Sequence, residues 1–286
     1  MMLEPEFQDL IHPIKPRPTG ALCRGKLAPP VKAVLFDIYG TLLISASGDI
    51  GVTAAGDDVD DTVDNWVRTL GFAPPPGGIR AALTTEIKKA HERARCLGTA
   101  FPEVVIEDIW GRLYPTASPG ELRRLALGHE LRVNPVWPMP GMRRSLQAHT
   151  ASGRRLGLVS NAQFYTPMLL RHFLQRPLTA YGLSDALCIY SYRQGAAKPG
   201  RTLYETAAAA LKRCAISPGE AVMVGNDRRN DVAAARKVGF QTVLFAGDAR
   251  SLRWRREDAD WELAQPDMVI TELTQLNDHL SEHRLV

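Results

Sequence analysis

The run from Val31 to Thr41 constrains this chain most, because it delivers one carboxylate from a buried-strand pattern directly into a glycine turn. Five of the six residues before Asp37 are apolar, two of them valines, which is how a strand covered on both faces of a parallel sheet reads; Gly40 then breaks the pattern. Asp37 is thereby placed at a strand's carboxyl end, where open α/β sheets bind ligands. The same placement suits a turn or capping Asp, so this run alone assigns no chemistry.

Three further segments follow in a consistent order. Arg155 to Val159 is a second strand-like run ending at Ser160-Asn161. Lys198-Pro199-Gly200 forms a turn just ahead of a helical stretch predicted over Arg201 to Arg213. Ala221 to Gly225 is a third buried strand, followed by Asp227 and Asp231 on the turn into a helix predicted over Val232 to Val238.

In order and chemistry these segments resemble the signature of the haloacid dehalogenase (HAD) superfamily, and the resemblance covers most of residues 31 to 275. Asp37, Gly40 and Thr41 match its first motif, Ser160 its second, Lys198 its third, and the pair Asp227 and Asp231 its fourth. The resemblance implies an α/β fold, a Rossmann-like parallel sheet core with a helical cap inserted after the first strand. It also implies a hydrolase whose nucleophile is Asp37.

The residue chemistry agrees. A carboxylate nucleophile forms a covalent intermediate that divides one difficult displacement into two easier ones. With a phosphate ester as substrate, Asp37 and the phosphoryl group repel, and a cation must offset them. Asp227, with Asp231 in support, offers hard oxygen ligands suited to Mg²⁺. Ser160 and Lys198 are placed to hold phosphoryl oxygens by a hydroxyl and an ammonium, and Asn161 sits beside them as a substrate contact.

Tyr39 departs from the phosphatase pattern, which usually carries a second Asp there as general acid and base. A phenol with an ordinary pKa near ~10 is a poor base at neutral pH. Tyrosine is what the hydrolytic 2-haloacid dehalogenases of the superfamily carry, and Tyr204, six residues after Lys198, is a second likeness to them. Against this, their fourth motif lacks an acidic residue at the position of Asp227. Two carboxylates, Asp227 and Asp37, without a cation would raise one pKa, which argues for a metal. Tyr39 is compatible with one, since in the family the backbone carbonyl at that position is the ligand.

The leading expectation is therefore a Mg²⁺-dependent phosphatase of a small phosphorylated metabolite. The alternatives are a metal-independent 2-haloacid dehalogenase using Asp37, and a regulatory or binding protein that lost turnover at Tyr39. A small anionic substrate is the expected partner, with neither nucleic acid nor membrane, and the chain is expected as a monomer or homodimer.

With 286 residues and 45% hydrophobic content, the chain is long enough for a core and a second lobe. More than a hundred residues separate Asp37 from Ser160, far more than a crossover helix needs. Residues 46–139 are expected as a helical cap, opening on a small-residue hinge from Ile44 to Gly51 and including helices over Thr62 to Leu70 and Ile79 to Cys96. Residues 31–45 and 140–286 then form the core, and residues 1–30, with six prolines, an extended arm.

No signal-peptide pattern and no run near ~18 apolar residues is present, and four widely spaced cysteines suit a reducing cytoplasm. His279 and His283 read as a solvated terminal helix, and Arg253-Trp254-Arg255-Arg256, followed by acidic residues, reads as a solvated loop. Lys88, Lys89, Arg93 and Arg95 recur along one predicted helix of the cap; most of such a run is solvated, and one member could reach substrate.

Overall fold

A computed structural model describes residues 3–47, 57–258 and 264–281. Its seven-stranded sheet comprises β1 (Arg24–Gly25), β2 (Ala33–Phe36), β5 (Arg155–Ser160), β6 (Leu183–Tyr190), β7 (Ala221–Gly225), β8 (Gln241–Phe245) and β9 (Met268–Ile270). The strand order is β1-β9-β8-β7-β2-β5-β6, parallel throughout except for β1 against β9. Every residue of β2 and β7 is buried, which is why both segments read as continuous apolar runs.

Strand β2 lies between β5 and β7, so the chain leaves it toward one neighbour and later returns on its other side. The crevice at such a switch point, outside the carboxyl ends, is where α/β sheets place their ligands. Asp37, Ser160 and Asp227 end or follow the three central strands and converge there.

A two-stranded antiparallel ribbon, β3 (Leu43–Ser45) with β4 (Val136–Pro138), stands beside the core. Between its strands run the helices Asp57–Thr69, Gly78–Cys96, Ile106–Leu113 and Pro119–Val133. The last begins with Ser118 as N-cap, Pro119 in the first turn, and a reciprocal Ser118–Glu121 capping box. Ser45 Oγ donates to Asn134 Oδ1 at 2.7 Å and closes the ribbon's far end. Residues 48–51 of the expected hinge lie outside the described residues, as does His283.

The predicted helix over 201–213 is present as Thr202–Lys212. The one expected over 232–238 is not regular. A wide turn over Arg228–Ala233 precedes a single α turn, Ala234–Arg236, because Asp227 O accepts from both Asp231 N (2.8 Å) and Val232 N (3.3 Å). Wide turns of this kind concentrate at functional sites.

The N-terminal segment spans both lobes. Phe7 is buried and meets Trp66 edge-on at 6.1 Å, and Glu6 accepts from Arg124 Nε at 2.6 Å, both on the helical side. Further along, Arg17 N donates to Asp248 Oδ1 at 3.0 Å and β1 adds to the sheet edge, both on the core side. No helix of the described residues is long and apolar enough to cross a membrane.

Candidate active site

Gly40 makes the first turn possible. Its φ is +83°, and a Cβ there would lie 2.5 Å from Ser251 Cβ and 2.6 Å from Asn226 Nδ2. The turn it permits buries Thr41, whose hydroxyl lies 3.1 Å from Asn226 Oδ1 and 3.4 Å from Asp37 Oδ2. Gly225 plays the matching part after β7, because a Cβ there would come within 2.2 Å of Asp231 Cγ.

Asp37 Oδ1 accepts from Lys198 Nζ at 2.7 Å and from Ser160 Oγ at 3.0 Å. Lys198 also donates to Asp231 Oδ1 at 2.6 Å and to the Val159 carbonyl at 3.0 Å, so all three ammonium protons are directed. Burial disfavours its charge, but Asp231 and Asp37 outweigh burial and hold its pKa above the ordinary lysine value. Removing one partner of such a buried pair typically costs about 3–5 kcal/mol. Asn161 fixes the loop, its Oδ1 accepting from Lys198 N at 2.8 Å.

Asp231, expected to support a metal, has both oxygens in hydrogen bonds within the protein. Oδ1 takes Lys198, and Oδ2 accepts from Asp227 N at 2.9 Å. Burial pushes its carboxyl up, with Lys198 pulling the other way. Tyr204, expected with Ser160, Asn161 and Lys198 as a substrate contact, is wholly buried and donates to the Asn230 carbonyl at 2.7 Å. Ser160 and Thr41 hold Asp37 from below.

Tyr39 lines the cavity, but its hydroxyl pairs with Thr166 Oγ1 at 2.9 Å. Burial, and then the nearby Glu130 carboxylate, push its pKa well above the ordinary value. The phenol is thus unsuited to the acid and base work the second Asp performs in phosphatases.

Arg255 was not legible in the sequence. The loop read as solvated runs back along the fourth motif: Arg253 N donates to Asn226 O at 2.9 Å and Arg228 N to Arg253 O at 3.0 Å. This register delivers Arg255 to Asp227, with Nη2 at 2.6 Å from Oδ2 and Nε at 3.3 Å from Oδ1. Asp227 Oδ1 also accepts from Arg229 N and Asn230 N.

A cavity of about 690 Å³ opens above these groups. Its floor includes Asp37, Asn161, Lys198, Asp227 and Asp231, and its roof comes from the Gly78–Cys96 and Pro119–Val133 helices. Glu130 is buried in the roof, its oxygens accepting from Asn134 Nδ2 and Tyr165 OH, both at 2.9 Å. Sequence reading missed this network, since helix periodicity marks a face without showing what covers it.

The described residues thus form a parallel α/β core with a lysine-paired aspartate at the end of a central strand, roofed by an inserted helical lobe. Residues 31–239 match the family model for haloacid dehalogenase-like hydrolases, and the chain belongs to that family. Among solved structures it is similar to a HAD phosphatase from Thermococcus onnurineus, with 23% identity, TM-score 0.53, and coverage of 89% of this chain and 100% of that one. A 2-haloacid dehalogenase from Pseudomonas syringae pv. Tomato DC3000 is similar with 19% identity, TM-score 0.56, and coverage of 89% and 100% respectively. At these identities both report the fold. No curated protein matches the chain.

Proposed function

We propose that this protein hydrolyses a small phosphate monoester through an aspartyl-phosphate at Asp37. The observation that carries this reading is Asp227, a second carboxylate on the floor beside the nucleophile that already binds a positive charge, the Arg255 guanidinium at 2.6 Å. Displacement at carbon needs no such cation-holding group. Transfer of a phosphoryl dianion to a carboxylate does.

With Oδ1 held by Lys198 and Ser160, Oδ2 is the attacking oxygen; its one hydrogen bond among the described residues is the 3.4 Å approach of Thr41 Oγ1. Oδ2 forms a bond to phosphorus as the ester P–O bond breaks and the alcohol oxygen departs with the electron pair. Water then attacks phosphorus, releasing phosphate and restoring the carboxylate. Lys198 and Ser160 stay on Oδ1, where they hold the carboxylate ionised and aimed, and the ammonium places its positive charge beside the phosphoryl group. Because the Tyr39 phenol is tied to Thr166, the leaving oxygen takes its proton from solvent, which favours substrates with good leaving groups.

The donors suit Mg²⁺ once Arg255 moves aside. Among the described residues no three His, Cys, Asp or Glu side chains close on one point. What remains is Asp37, Asp227 and the Tyr39 carbonyl, which accepts no backbone hydrogen bond among the described residues; this is a fitting set for an ion that keeps several waters. Bound there, Mg²⁺ supplies charge to offset the phosphoryl oxygens.

A second reading, hydrolysis of a 2-haloacid, is favoured by Tyr39, since halide departs without a proton. Assaying phosphate and halide release from ester and haloacid panels, with and without Mg²⁺, decides between them. Phosphate release supports the proposal, and halide release alone overturns it.

A further inference from the structure

Of the four cap cations that recur along the sequence, the fold brings only Lys88 to the cavity. The Gly78–Cys96 helix lines the roof with Arg80, Leu83, Thr84, Ile87, Lys88 and His91, the spacing of a single helical stripe. Lys89 faces elsewhere and pairs with Glu86 at 2.7 Å. Lys88 makes no ion pair among the described residues, and His91 Nε2 is shielded from solvent without a hydrogen-bond partner. Thr84, Lys88 and His91 are neighbours at i, i+4 and i+7, so a hydroxyl, an ammonium and an imidazole meet on two adjoining turns.

The roof's two carboxylates are occupied. Glu103 accepts from Val104 N at 2.8 Å and from Ser191 Oγ at 2.7 Å, and Glu130 is taken by Asn134 and Tyr165. Neither neutralises Lys88. The stripe therefore offers unspent donors and positive charge on the opposite wall from the nucleophile, in a cavity far larger than one phosphoryl group requires.

We propose that Thr84, Lys88 and His91 form a subsite for a second anionic group, so that the substrate is a phosphate monoester carrying a carboxylate or second phosphate at its far end. This rests on the phosphatase reading above and adds to it the class of substrate. The inner phosphoryl meets Asp37, beside the Lys198 charge, while the outer anion meets the stripe.

The test compares glycerol monophosphate, phosphoglycerate and glycerol bisphosphate as substrates of the full chain. The wild type is expected to prefer the anion-tailed esters by about tenfold or more in kcat/KM, the worth of one hydrogen bond to a charged group, with carboxylate against phosphate telling which anion fits. In Lys88→Met and His91→Leu that preference should collapse, mainly through KM, whereas Lys89→Met, outside the cavity on the same helix, should retain it. Equal turnover of alcohol- and anion-tailed esters by the wild type, or a preference that survives in Lys88→Met, overturns the subsite and leaves the phosphatase reading standing. Phosphate release from none of the esters overturns both.

Discussion

Arg255 and Asp227 form an ion pair at 2.6 Å although 28 residues separate them. The pair places a tethered cation on a carboxylate that a divalent ion would use. Arg255 adopts a left-handed backbone (φ 51°), a conformation that costs a side chain-bearing residue on the order of 1 kcal/mol and that the pairing of Arg253 with Asn226 holds in place. The preceding stretch of the loop is gripped by the N-terminal arm, through Arg17 N on Asp248 Oδ1.

Arg255 and Mg²⁺ should therefore compete. Arg255→Ala is expected to lower, by about tenfold, the Mg²⁺ concentration needed for a given rise in melting temperature, since a partly buried pair no longer has to be broken. Calorimetric or dye-based melting across a Mg²⁺ series reads this directly. The same Mg²⁺ dependence in variant and wild type would show that Arg255 does not stand in the ion's place.

Tyr39 gives two opposed expectations. If its phenol serves only to bond Thr166, Tyr39→Phe should leave kcat within a few-fold and cost about 1 kcal/mol of stability for the lost hydrogen bond. Tyr39→Asp should raise phosphate release, most for poor leaving groups, because a positioned acid and base is worth roughly a hundred- to ten-thousand-fold. Flat release on every ester after Tyr39→Asp would favour the dehalogenase or a protein that binds without turnover.

His149 predicts an acid limb in stability. It is wholly buried against Phe36, neither ring nitrogen has a hydrogen-bond partner, and burial lowers its pKa to about 3. Below the ordinary value near ~6.5 the unfolded chain takes up a proton that the folded chain refuses, so stability falls as pH drops through the window between the two. From roughly pH 6.5 to pH 5 the loss from this residue should be about 2 kcal/mol. Denaturant unfolding of His149→Leu should show that much less pH dependence over the same interval; an identical slope would mean that His149 takes up its proton in the folded chain as readily as in the unfolded one.

Much of the site was legible because its determinants are local. An apolar run ending in Asp37 and Gly40 specifies both a buried strand and the turn after it, and Gly225 before Asp227 does the same for β7. Lys198 was legible as a loop residue, but its bridge between Asp37 and Asp231 was not, since three separate loops must converge to make it. Tyr204 was legible by its spacing from Lys198, but its hydrogen bond to the Asn230 carbonyl was not, since that bond depends on how the wide turn packs against its helix. Arg255 shows the limit of local charge patterning. Acidic neighbours suggested solvent, and only the register of its loop along Asn226 and Arg228 gives it a place in the site.

The central claim is that Asp37 becomes covalently phosphorylated. Acid-quenching the enzyme during turnover of an ester it hydrolyses, followed by mass spectrometry of the peptide spanning residues 31–41, tests it most directly. The account predicts the added mass of one phosphoryl group on Asp37, absent from Asp37→Asn, which should also lose turnover by several orders of magnitude. An unmodified peptide together with appreciable phosphate release by Asp37→Asn would contradict it.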